Sequence, residues 1–174
     1  MEERQASTAL PALSQHKYDL AFVRDYNIDS NVFSTFPFIT DKLMVAVSSE
    51  HRLAGRKSVS LAELSDENFI MFDKETLMHE LTTNACTSAG FEPKVFYSTL
   101  RAESIISMVA SNSGVALLME KVLNYYHRSE VVAIPLDQTI ESKIIIAFPK
   151  DRKLSKSART FLEYMKKQMY SDME

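Results

Sequence analysis

This chain is poor in the residues that build the most recognisable chemistry. A single cysteine, Cys86, excludes an intrachain disulfide and any multi-cysteine metal site. Three glycines in 174 residues leave no room for a Gly-rich phosphate loop or a flexible Gly/Ser linker. No run of 18 apolar residues occurs, so no membrane-spanning helix is expected. The opening MEERQAST is polar and has no signal-peptide apolar core. The net charge is −3, so no global basic field draws the chain to nucleic acid. The two small basic clusters, 52–57 and 149–156, read as solvated turns. What is present is ordinary for a folded protein, at 45% hydrophobic and 25% charged residues, and the length is ample for a sizeable core. The expectation is a reduced, cytoplasmic protein.

Catalytic constellations are missing too. His16, His51, His79 and His127 lie in separate segments. HELTT (79–83) looks like half of a zinc-binding helix, but Thr83 stands where the second histidine is needed one turn on. Cys86 has no base at a readable spacing and is expected to be an inert packed thiol. No nucleophile elbow or dinucleotide fingerprint is found. The sequence supports neither an enzyme nor a cofactor.

The hydrophobic pattern is more informative. In STLRAESIISMVASNSGVALL (98–118), Ile105, Met108 and Val109 form a helix-period stripe. Asn112, Ser113 and Gly114 end it, and 115–118 is a continuous apolar run, as in a strand covered on both faces. With the turn and strand of GFEPKVFYS (90–98), this reads as a strand–helix–strand crossover of the parallel α/β kind. Further strands are expected at 18–23, 33–38 (irregular, with Pro37), 43–47, 69–72, 131–136 and 144–148. A helix over 6–16 is expected, with Ser7 or Thr8 available as its N-cap and Pro11 in or near its first turn. A short helix over 61–64 follows Ser60. A helix over 76–89 has Leu77, Leu81 and Ala85 on one face and stops at Gly90. Another short helix is expected over 119–126. The last helix starts after Ser155 and has the apolar face Ala158, Phe161, Leu162, Met165 and Met169.

These segments, in this order, resemble the effector domain of LysR-type bacterial transcription regulators. KYDLAFVR (17–24) is similar to that family's early strand. DKLMVAVSSEHRLAGRKSVSLAELSDENFIMF (41–72) is similar to its strand, turn, short helix and strand, with Arg52 in place of the usual proline. The 98–118 stretch follows, with Met119 where proline is frequent. KDRKLSKSARTFLEYMKKQM (150–169) resembles the closing helix. The resemblance implies an α/β fold of two Rossmann-like lobes joined by two crossover strands, like a type II periplasmic binding protein. Lobe I would be 1–47 plus 144–174, and lobe II 48–143. The family's effector domain opens with a strand and a long helix ahead of the region matching residues 1–16, so the resemblance also implies that these, and the DNA-binding helix-turn-helix before them, are absent from this chain. That would leave the first lobe truncated, opening one wall of the pocket and part of the dimer face.

In such a fold ligands lie at the carboxyl ends of strands. The strand ends here supply Phe22 and Arg24; Asp73 and Thr76; and Thr99, Leu100, Arg101 and Ala102. The last two groups open helices, whose first amides can hold a carboxylate. FVR (22–24) resembles the matching strand end in regulators that respond to aromatic acids and muconate, which implies an aromatic wall and a bidentate cation. The competing readings make Phe22 core, pair Arg24 with Asp25 or Asp29, and pair Arg101 with Glu103. The expected function is a small-molecule effector-sensing and oligomerisation domain of a LysR-type regulator. It would bind a small carboxylated metabolite in the inter-lobe cleft, self-associate as a dimer or higher, and reach DNA only through a helix-turn-helix domain. The rivals are a stand-alone solute-binding protein of the same fold, against which the missing leader weighs, and a small α/β enzyme with a cleft site.

Overall fold

The computed structural model describes residues 6–26 and 28–171. They form two compact units. Of the described residues, the first comprises those up to 40 and from 142 on, the second 41–141. Two α/β units linked by two strands match the architecture the resemblance implies. The first junction lies ahead of the expected 47/48 because residues 43–48 pair with strands of the second unit.

In the first unit, α1 (Ala6–Ser14) leads to β1 (Ala21–Arg24). A long strand, β2 (Phe33–Ser48), starts here. Against the two strands expected at 33–38 and 43–47, the chain makes one, because Pro37 falls at an exposed position where extension can continue. Two further expectations fail locally. Residues 18–20 lie outside β1, and Pro11 sits in the interior of α1, with Ser7 and Thr8 inside the helix rather than at its cap.

The second unit holds a two-stranded parallel sheet of β3 (Asn68–Phe72) and β4 (Lys94–Thr99) and, in a separate sheet, the second half of β2 with β5 (Ala116–Met119) and β6 (Val131–Pro135). The second half of β2 pairs antiparallel with β5 (Val45 opposite Leu117) and with β6 (Ala46 opposite Ala133). β3 and β4 are parallel, and a parallel bridge between Phe69 and Val115 joins them to β5. The expected crossover is therefore present, with β3 between β4 and β5.

Alternation along β2 decides which core each side chain enters. Leu43, Val45 and Val47 face a cluster with Leu117, Phe69, Met71 and Cys86. Met44 and Ala46 face the other cluster, with Ile70, Leu118, Ile105, Ile106 and Val109. α2 (Leu77–Ser88) covers the first face and α3 (Ala102–Ala110) the second, with α4 (Glu120–Tyr125) beside it. The buried residues of α2 are Thr82 and Cys86, with Met78 and Leu81 packed alongside, which rotates its inner face away from the expected Leu77 and Ala85. Gly90 stops α2 at φ +93°, a left-handed conformation that favours glycine. A 3-10 turn, Leu61–Leu64, opens with the Ser60 N–H donating to Glu63 Oε1 at 3.0 Å.

β7 (Glu141–Pro149) returns to the first unit and pairs antiparallel with β1, placing Phe22 opposite Ile146 and Arg24 opposite Ile144. With β1 and β7, the sheet of β2, β5 and β6 has five strands. Val23, Phe33, Ile145 and Ala147 pack with Leu13 of α1. The closing helix, α5 (Lys156–Ser171), covers the opposite face with buried Ala158 and Leu162. Ser155 caps it, its Oγ accepting the Ala158 N–H at 3.2 Å. The Met169 side chain lies outside the described residues.

Candidate functional site

The strand-end residues of the second unit converge because β3 and β4 are parallel neighbours in register at their ends, Phe72 beside Thr99. One step beyond, the Asp73 N–H donates to the Thr99 carbonyl at 3.1 Å, tying the two loops together. Thr76 is the N-cap of α2. Its Oγ1 accepts the His79 N–H at 3.2 Å and donates to the Asp73 carbonyl at 2.7 Å. In the second loop, the Arg101 N–H donates to Thr99 Oγ1 at 3.3 Å. Arg101 is the N-cap of α3, Ala102 its first residue, and Leu100 and Arg101 are exposed. Asp73, Thr76, Thr99, Leu100, Arg101 and Ala102 thus form one contiguous patch. It presents two helix starts, each with partial positive charge, and one guanidinium.

His79 belongs to the same patch and was not singled out as a site residue in the sequence. Its Nδ1 lies 2.8 Å from the Phe72 carbonyl, which can only accept, so Nδ1 carries the proton. The signal available was its place in the first turn of α2, which the zinc-helix comparison passed over.

In the first unit, Phe22 stands edge-on to Phe38 (4.9 Å between centroids) and to Phe161 (6.2 Å), yet remains 44% exposed. It is neither sealed core nor an isolated wall. Arg24 Nη1 donates to Ser142 Oγ at 2.9 Å, a partner 118 residues away that no local pattern announces. Asp25 Oδ1 accepts the Lys143 N–H at 3.2 Å, and Asp29 Oδ1 accepts that of Asn31 at 2.8 Å. Glu103 is held below the usual carboxylate range by its own backbone N–H, then by Tyr126, with Arg101 a smaller contribution.

The arginines of the basic clusters are engaged within the chain. Arg52 Nη2 pairs with Glu67 at 2.8 Å, Arg56 with Glu63 at 3.4 Å, and Arg152 with Asp19 at 3.0 Å. Among the described residues no group of three or more His, Cys, Asp or Glu is placed to hold a metal ion. No described helix is long and apolar enough to cross a membrane.

Two α/β units on two linking strands, with helix starts at paired strand ends, are the architecture of a periplasmic-binding-protein-like fold. The family model for the LysR substrate binding domain matches residues 1–170, and the chain belongs to that family. It is 36% identical over 143 residues to an uncharacterized HTH-type transcriptional regulator, YwbI, of Bacillus subtilis, covering 82% of this chain and 48% of that protein. It is 28% identical over 170 residues to the transcriptional dual regulator GltC of the same organism, covering 91% and 56%. The chain thus spans about half the length of these curated relatives. Among solved structures, it is similar in fold to the BenM effector binding domain with its effector benzoate (TM-score 0.83, 21% identity, 99% of this chain and 78% of that one). It is likewise similar to the Synechocystis PCC6803 CcmR regulatory domain in complex with 2-PG (TM-score 0.82, 23% identity, 92% and 78%).

Proposed function

We propose that this chain is the effector-sensing domain of a LysR-type transcriptional regulator and that its effector is a small carboxylated metabolite. The observation that carries the reading is the hydrogen-bonded juxtaposition of two helix starts, at Thr76 and Arg101, on the parallel ends of β3 and β4. Helix-start amides and a guanidinium together favour an anion, and a carboxylate fits both. That similar folds are named with benzoate and 2-PG supports a small ligand. The reading also gives Phe22 and Arg24 a part in binding, on their chemistry: an exposed ring and a cation already oriented by Ser142.

In the regulator, the effector would act by binding one arrangement of the domain more tightly than another. Only such differential affinity can change how DNA-binding units sit on their site. Self-association of the domain and contact with DNA through a helix-turn-helix belong to this reading, as does a non-enzymatic, cytoplasmic role.

The test is calorimetry with a panel of aromatic and dicarboxylic acids. Arg24→Ala is expected to weaken the best binder by about 1.5–3 kcal/mol, the range for a charged hydrogen bond. Arg101→Ala should cost less, since its guanidinium is exposed and screened. Affinity unchanged in both variants would discard the site.

A further inference from the structure

The second unit also holds a cavity of about 290 Å³ between α3, α4 and β6, lined by none of the strand-end residues. Its apolar lining includes buried Ile106 and Leu123 and half-buried Val131. Its polar lining includes Tyr126, His127 and Arg128, in the turn that leaves α4. That turn is fastened at both ends. The Tyr126 N–H donates to the Val122 carbonyl at 3.0 Å, and the Val131 N–H to the Arg128 carbonyl at 3.2 Å. Tyr126 is held from two sides, its Oη donating to Glu103 Oε1 at 3.0 Å and its ring meeting Tyr125 edge-on at 4.8 Å.

The neighbouring acids are already engaged. Glu103 accepts from Tyr126, and Glu130 Oε2 accepts from Ser129 Oγ at 3.0 Å. The carboxyl end of α4 carries partial negative charge, so Arg128 is what makes an anion acceptable here. The volume sits at the small end of ligand cavities, enough for one ring and little more.

We infer that this cavity is a second small-molecule site, which takes a carboxylic acid with a compact apolar or aromatic body. The body rests on Ile106, Leu123 and Val131, and the carboxylate meets Arg128. Ile106 belongs to α3, whose first turn opens at Arg101, so a single helix joins this cavity to the strand-end patch.

The experiment is a methyl-NMR titration of the whole chain with 4-fluorobenzoate, with 4-fluorobenzyl alcohol as the uncharged match. The Leu123, Val131 and Val132 methyls are expected to shift with the acid, and the alcohol to bind several-fold more weakly. Arg128→Ala, at an exposed position, should raise the Kd read from those methyls roughly tenfold. Arg101→Ala should leave it unchanged. Silence of those methyls up to about 10 mM acid, equal binding of the alcohol, or indifference to Arg128→Ala would each overturn the site. Shifts confined to the Leu100 methyls would overturn it while leaving the strand-end reading standing. Shifts confined to the cavity methyls would do the reverse.

Discussion

Gly114 lies so close to the carbonyl of Asn68 that no Cβ fits. One built there would collide with the Asn68 oxygen, come within 3.2 Å of its carbon, and touch the Ile70 side chain at 3.4 Å. The approach lets the Val115 N–H donate to the Asn68 carbonyl at 2.9 Å and the Ile70 N–H to the Val115 carbonyl at 2.8 Å. Those two bonds bridge the sheet of β3 and β4 to the start of β5. Gly114→Ala is therefore expected to destabilise the domain by about 1–3 kcal/mol, as overpacking does. Gly55, with nothing within 4 Å, is the control. Gly55→Ala should be neutral or slightly stabilising, by up to about 1 kcal/mol. Urea unfolding of the two variants measures the contrast.

Thr76 offers a cap without bulk. Thr76→Ala removes the acceptor for the His79 N–H and the donor to Asp73, and should cost about 1 kcal/mol. Thr76→Ser should restore most of it. Equal urea midpoints for the alanine and serine variants would show that the hydroxyl contributes nothing.

Cys86 is fully buried, and burial, then the charge of Glu92, pushes its thiol up to about 12. Only the thiolate is reactive, so the native thiol should be inert at pH 8. Ellman's reagent is expected to label it only on unfolding. Rapid labelling of the native chain would contradict this account.

Tyr126 and Glu103 should titrate as a linked pair. The hydrogen bond to Glu103, then burial, then the neighbouring charges of Glu103 and Tyr125 raise the phenol above its ordinary 10.0. Glu103 is held below its ordinary 4.5. The carboxylate's contribution is present above 4.5 and lost as pH falls through its lowered value. The phenol's is present below 10.0 and lost as pH rises through its raised value. The bond therefore persists across the whole interval between those ordinary values. Glu103→Gln should lower the Tyr126 titration midpoint, read by NMR of ring-labelled tyrosine. An unchanged midpoint would mean the hydrogen bond is not what raises it.

Much of this was written locally. The glycine stop at Gly90, the stripe of α3 and the run into β5 rest on period and on backbone chemistry within a few residues. So does the nomination of the 73–76 and 99–102 loops, since a strand end that opens a helix is visible in one dimension. What the sequence could not determine was set by partners far along the chain. The merging of two expected strands into β2, the turning of α2 onto Thr82 and Cys86, and the cluster of Phe22 with Phe38 and Phe161 all depend on which surface each element meets. Arg24 finds Ser142 only because β7 returns beside β1. The role of Gly114 shows the division. The sequence marked it as a turn residue, but Asn112 takes the left-handed conformation in that turn, at φ 56°. Gly114 is needed for closeness, not for conformational freedom. Conformation is a property of a residue and its neighbours, whereas closeness exists only once β3 and β5 have been packed side by side.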